Sequence, residues 1–181
     1  MALRAALLCV LALATAEGPA GVADDIFAAV RRDDAAAIER LYNADKSILD
    51  KTGPGGQSPT MHGVLQGKAK AVQKLIALGA DLTVPEKDGY TPMHGAGFQG
   101  RAKVAKLLAA AGVDVNDVHA DGYAPIHRAC WGTQQRHAET VEAMLALGAT
   151  LADKTACHAA ADGSNSWTAD VVKAHFAKSD L

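Results

Sequence analysis

Aromatic side chains are scarce in this chain. Three Phe, three Tyr and two Trp make up 4% of 181 residues, although 49% of the chain is hydrophobic. A sheet core draws on aromatic and β-branched residues, so a core carried mostly by Ala and Leu points to packed helices. Charge of one sign is also missing. The 18 basic and 20 acidic residues are well mixed and leave a net −2, which gives no electrostatic footprint for nucleic acid or an anionic membrane. Cysteine is limited to Cys9, Cys130 and Cys157, too few for a disulfide framework. None of Asn43, Asn116 and Asn165 opens an Asn-x-Ser/Thr glycosylation acceptor.

Long apolar runs are absent except at the start. Arg4 is followed by the uncharged, mostly apolar stretch Ala5 to Thr15, and Ala14-Thr15-Ala16 fits the small-x-small pattern before signal-peptide cleavage. The run is too short to cross a bilayer as a helix. Residues 1–16 are therefore expected to be a signal peptide and 17–23 a linker, with the protein in the secretory pathway or secreted. If the segment is not a signal peptide, it is a buried N-terminal helix and the location is cytoplasmic. Cleavage after Ala16 removes Cys9 and leaves Cys130 and Cys157.

What the chain does have is repetition. Asp88-Gly89-Tyr90-Thr91-Pro92-Met93-His94 returns as Asp121-Gly122-Tyr123-Ala124-Pro125-Ile126-His127, an offset of 33 throughout. The same offset carries Gly56 onto Gly89 and Gly122, Pro59 onto Pro92 and Pro125, and Gly67 onto Gly100. A fixed period in this range marks a stacked solenoid. Each unit has the punctuation of helix, turn and helix. Asp88-Gly89 fits a tight turn, and Thr91 is placed to cap a first helix that Pro92 opens. Gly100 breaks the chain, and Arg101 to Ala111 reads as a second helix ended by Gly112.

Thr91-Pro92-Met93-His94, Gly100, Leu107-Leu108 and Gly112-Val113-Asp114-Val115-Asn116 together resemble the ankyrin repeat, whose hallmark is Thr-Pro-Leu-His followed by Gly-Ala-Asp. The resemblance covers residues 24–181. It implies an all-α solenoid of stacked helix–turn–helix units with β-turn fingers, in five units at about 24–52, 53–85, 86–118, 119–153 and 154–181. The two end units are caps. Gly89, Thr91, Pro92, His94, Gly122, Pro125, His127 and His158 are the structural motif positions, and the family uses the histidine to tie one unit to the next. There are departures. Met61 takes the histidine position of the second unit, Ala124 replaces the capping threonine of the fourth, and extra residues enter around Gly132 to Arg136 and Gly163 to Ser166.

Chemical candidates are weak. Equivalent histidines on helices about 8–10 Å apart cannot share one zinc at about 2.0–2.1 Å, so no metal or cofactor is expected. Cys130 and Cys157 fall at different turns of equivalent helices in adjacent units. A bridge needs Cα atoms about 4.4–6.8 Å apart, so both are expected as small buried core residues. Gly53-Pro54-Gly55-Gly56 lacks the Gly-Lys-Ser/Thr ending of a phosphate loop. The enzymatic alternative is a small enzyme using the inserted loops Gln134 to His137 and Ser164 to Ser166, whose one histidine, His137, lacks an evident partner in the sequence. The expectation is no enzyme.

Function then lies on a surface. The resemblance implies a concave face built from turn tips and first helices, and a protein partner bound to it. Of eight aromatic residues, four fall at the variable positions of that face: Tyr90, Tyr123, Phe98 and Trp131. Spaced by 33, they are expected to stack as two short ladders, with Lys87, Asp88 and Asp121 at the rim. A structural spacer or assembly unit is the alternative from another class.

Overall fold

A computed structural model describes residues 25–152, 156, 157 and 165–179. The expected signal peptide (1–16), the linker (17–23) and His158 lie outside the described residues. Among the described residues nine α-helices run in order: α1 Ile26–Arg31, α2 Ala35–Ala44, α3 Pro59–Leu65, α4 Ala69–Ala77, α5 Pro92–Phe98, α6 Ala102–Ala110, α7 Pro125–Cys130, α8 Gln135–Ala146 and α9 Ser166–Ser179. Short 3₁₀ turns cover Lys46–Asp50 and Pro54–Gly56. No strand occurs among the described residues, and the chain is an all-α repeat solenoid.

The helices are too short to stand alone in water, so packing must hold them. Their starts are nevertheless marked locally. Asp25 and Asp34 accept hydrogen bonds from the Ala28 and Ala37 amides at 2.6 and 2.9 Å. Ser58 accepts from Met61 N at 3.1 Å, and Pro59, Pro92 and Pro125 open α3, α5 and α7. Thr91 departs from expectation because its hydroxyl does not cap α5. The hydroxyl lies 2.8 Å from His94 Nδ1 and 3.1 Å from Asp117 Oδ2, and those partners take it away from the backbone.

Like helices stack on like. The first helices α1, α3, α5 and α7 contact one another in sequence, as do the second helices α2, α4, α6, α8 and α9. The approach of α5 to α7 is very close: a Cβ added at Gly97 would lie 2.2 Å from the Pro125 carbonyl oxygen. Two apolar clusters result. The smaller holds Ile26, Ala29, Val30, Ile38, Ile48, Ala71 and Leu75. The larger runs from Val64 and Val72 through Met93, Leu108, Ile126 and Met144 to Val172. Helix α4 serves both, with Ala71 and Leu75 in the smaller cluster and Val72 in the larger.

Two sequence expectations are overturned. Cys130 and Cys157 form a disulfide with Cα atoms 5.2 Å apart, both fully buried. The axial-offset argument fails because Cys157 sits in a bend and not on an α-helix equivalent to α7. The inserted residues near His137 also do not make a loop of that length. They extend α8 to 12 residues, against nine in α4 and α6, so that Gln135, Arg136 and His137 are helical.

Candidate interaction face

Among the described residues three fingers project at the 33-residue interval. In each, one amide–carbonyl bond closes the base: Gly53 N to Gln57 O at 2.9 Å, Glu86 N to Tyr90 O at 3.0 Å, and His119 N to Tyr123 O at 3.1 Å. A glycine with φ of +73°, +87° or +86° (Gly56, Gly89, Gly122) completes the turn, a conformation that other L-residues rarely adopt. Neighbouring fingers are bonded together. Lys87 N donates to Gly55 O at 3.1 Å, and His119 Nε2 donates to Asp88 O at 3.1 Å. Lys87 and Asp88 keep exposed side chains at the tip.

The four aromatic residues do not make two separate ladders. They close around one residue the sequence reading did not single out, Arg128 of α7. Its guanidinium carbon lies 4.9 Å from the Tyr90 ring centre, 5.0 Å from Phe98, 5.3 Å from Tyr123 and 4.4 Å from Trp131. All four distances are within cation–π range. The rings also contact each other edge to face: Tyr90–Phe98 at 5.4 Å, Phe98–Trp131 at 6.0 Å and Tyr123–Trp131 at 5.2 Å. Gly97 makes the room, since a Cβ there would sit 3.2 Å from Arg128 Cβ.

Arg128 is only 2% exposed, and a buried charge needs a counterion. Asp121 supplies it, accepting from Arg128 Nη2 and from the Tyr90 hydroxyl, the latter at 3.2 Å. The guanidinium, with smaller help from His119 and the Tyr123 N–H, holds the Asp121 carboxyl well below the usual carboxylate range. Asp121 is thus an internal partner and not a free rim charge. Arg128 Nε is buried without a hydrogen-bond partner.

The rings that enclose Arg128 still face outward. Phe98 and Tyr123 are each 37% exposed and Trp131 is 39% exposed. Tyr90 is more covered, stacked on His119 at 4.0 Å between ring centres. The site brings together Tyr90, Phe98, Tyr123, Trp131 and Asp121, and leaves Lys87 and Asp88 at the finger tip beside them. A signal for Arg128 did exist in the sequence: a long basic residue in the helix that Gly97, one unit earlier, leaves room for.

The histidines act as ties. His94 is buried; its Nε2 lies 3.3 Å from Tyr123 O in the next unit, and its Nδ1 pairs with the Thr91 hydroxyl at 2.8 Å. His127 Nδ1 accepts from Ala124 N at 3.1 Å, which offsets the missing threonine. His137 repeats the device, accepting from Gln134 N at 3.4 Å and donating from Nε2 to Phe98 O at 3.3 Å. The absence of a partner expected for His137 is therefore corrected: both ring nitrogens are engaged, Nδ1 at the start of its own helix α8 and Nε2 in tying α8 to α5. Burial pushes the pKa of His94 and His137 below the ordinary imidazole value.

No group of three or more His, Cys, Asp and Glu among the described residues is arranged to hold a metal. A groove of about 470 Å³ between α8 and α9, lined by Glu142, Leu145, Asp170, Val171, His175 and Lys178, shares no residue with the aromatic face. No described helix is long and apolar enough to cross a membrane.

Comparison with known proteins agrees with this geometry. A family model described as ankyrin repeats in three copies matches residues 26–119 and again 61–156. Mouse protein phosphatase 1 regulatory subunit 27 is 32% identical over 65 residues, which is 36% of this chain. The chain spans under half of that relative's length, 42%. Ankyrin repeats generally mediate protein–protein interaction. With its 33-residue fingers, stacked helix pairs and a family match over most of its length, the chain belongs to the ankyrin-repeat family.

Proposed function

We propose that this protein is a non-catalytic interaction module that binds a protein partner through the concave side of its third and fourth units. One observation carries the reading. Three large rings, Phe98, Tyr123 and Trp131, stay more than one third exposed while their inner faces are fixed on Arg128. Clustered, exposed Tyr and Trp are typical anchors of protein interfaces, and rigid ones lose little entropy on binding. Lys87 and Asp88 form the charged border at the finger tip. The matched relative is by name a regulatory subunit, which fits an adaptor role and does not identify a partner for this chain.

We also propose that the module works in an oxidising compartment reached through the N-terminal segment. Arg4, the apolar run and Ala14-Thr15-Ala16 support this. So does the pairing of the two cysteines that remain after cleavage, since stable disulfides belong to such compartments.

The test is affinity capture from that compartment with the wild-type chain and with a Tyr123→Ala, Trp131→Ala double variant. Circular dichroism and the melting midpoint would confirm the fold. The partner recovered by wild type should be lost from the variant. A folded variant that keeps full partner affinity refutes the proposed face.

A further inference from the structure

The aromatic face belongs to the third and fourth units, but Trp131 is held from the fifth. Trp131 is the first residue beyond α7, and its amide reaches back to Arg128 O at 3.3 Å. On one flank, Cys130 is bonded to Cys157. On the other, Gly132 O accepts from Asn165 Nδ2 at 2.9 Å, and Gln134 O takes a longer bond from the same nitrogen at 3.4 Å. Cys130, Cys157 and Asn165 are at most 1% exposed, whereas Trp131 is 39% exposed. The connection from α7 to α8 is thus pinned from within on both sides of a ring that faces outward.

Asn165 divides its amide between two tasks. Its Oδ1 accepts from Thr168 N at 3.2 Å and starts α9, which leaves Nδ2 for the fourth unit. An aspartate would cap α9 equally well, but it has no hydrogen to give to Gly132. The asparagine therefore serves the fourth unit as well as its own helix.

Resting on the face proposed above, we propose that the fifth unit regulates it. Asn165 and the Cys130–Cys157 bridge are positioning residues that hold Trp131 ready for the partner, and cleavage of the bridge by a dithiol lowers partner affinity. A fixed anchor loses little freedom on binding, while a loose one must first be ordered. Ordering one such side chain changes affinity about two- to tenfold. In the reducing step the dithiol gives two electrons and two protons. The Sγ–Sγ bond breaks into two Cys thiols, and the dithiol closes to its own disulfide. Both sulfurs are buried, so attack waits on opening of the fifth unit, and a cut bridge favours that opening. The His137 ring, which leaves no space for a Cβ on Gly132, holds the connection from α8 as well. Trp131 therefore loosens while α8 stays in place.

The experiment uses the full chain carrying Trp167→Phe, in which Trp131 is the one remaining tryptophan. Acrylamide quenching and fluorescence anisotropy then read Trp131 alone, without any ligand. Phosphine reduction and, separately, Asn165→Asp should each raise quenching and lower anisotropy. Asn165→Asp keeps the acceptor for Thr168 N, so helical content and amide protection of residues 166–179 should persist in that oxidised variant. With the captured partner, Kd should rise about two- to tenfold on reduction, and reoxidation should restore it. In a Trp131→Ala chain, reduction should have no further effect on Kd, because the bridge acts through that ring.

Equal Trp131 quenching in the oxidised, reduced and Asn165→Asp proteins overturns this inference. So does an unchanged Kd once the ring has loosened. A redox effect that persists in the Trp131→Ala chain also overturns it, since the bridge then acts by holding the stack and not through Trp131. None of these results removes the proposed face, which stands or falls with capture by the Tyr123→Ala, Trp131→Ala variant.

Discussion

Reducing the Cys130–Cys157 bridge should release the C-terminal end of the array before anything else. The cysteines are 27 residues apart in sequence, and closing a loop of that size removes about 3.5 kcal/mol of chain entropy from the unfolded state. In a linear array, units answer mainly to their neighbours, so the loss should fall on the last unit and not spread evenly. Helix α9 packs on α8, and Asn165, just before α9, is a further tie back to the fourth unit through Gly132 O at 2.9 Å. A loss of about 3.5 kcal/mol raises the open population of this end roughly 400-fold. Amide exchange followed by mass spectrometry reads this directly, with residues 166–179 compared between oxidised and phosphine-reduced protein. A urea titration followed by circular dichroism should show one transition when oxidised and an early minor step when reduced. A Cys130→Ala, Cys157→Ala variant separates loss of the bridge from loss of buried sulfur. If exchange in α9 and the urea midpoint are the same in both redox states, the reasoning is wrong. It is equally wrong if the unreduced, denatured protein (lacking Cys9) titrates two free thiols.

Three further outcomes follow from the packing. Burial lowers the pKa of His62, His94 and His137, so below the ordinary imidazole value near 6.5 the unfolded chain binds protons that the folded chain refuses. Stability should therefore fall as pH drops from about 6.5 to 5, and a urea midpoint that is flat over that window refutes the assignment. Gly97→Ala places a Cβ 2.2 Å from Pro125 O and should cost about 1–3 kcal/mol or more by forcing α5 from α7, read as a lower thermal midpoint. Asn165→Ala removes the acceptor for Thr168 N at 3.2 Å and the donor to Gly132 O at 2.9 Å. It should cost about 1–2 kcal/mol, seen as faster proteolysis of α9 with the earlier units intact.

The repeat was readable because its period is carried by residues whose conformations are hard to replace. Gly89 and Gly122 fix the fingers, Pro92 and Pro125 open helices, and the apolar spacing of Val104 and Leu108 marks a buried face. The aromatic positions were readable for the same reason, since a fixed offset places Tyr90 with Tyr123 and Phe98 with Trp131. Their common centre was not. Arg128 stands 38 and 30 residues after Tyr90 and Phe98, and five after Tyr123, so no multiple of 33 connects the cluster. It arises where α5 and α7 touch, and depends on the space at Gly97. The disulfide escaped for a related reason, because Cys157 lies in a bend and not on the regular helix that an offset argument assumes. His137 looked free because its partners, Phe98 O and Gln134 N, are backbone atoms and have no mark in the sequence.

Helix α4 is the shared wall of the two apolar clusters, and this has a consequence for a chain that is made, or threaded through a pore, from its N-terminus. The first cluster cannot close until Leu75 has emerged, because Ala71 and Leu75 complete the cavity around Ile26, Val30 and Ile38. Nearly half the protein must therefore wait with its apolar side chains open. Once α4 docks, its adjoining face, with Val72, is left for the units that follow. The covalent act comes late: Cys157 follows α8 in the chain, and the oxidant that joins it to Cys130 fixes the stack on which α9, still to come, will pack.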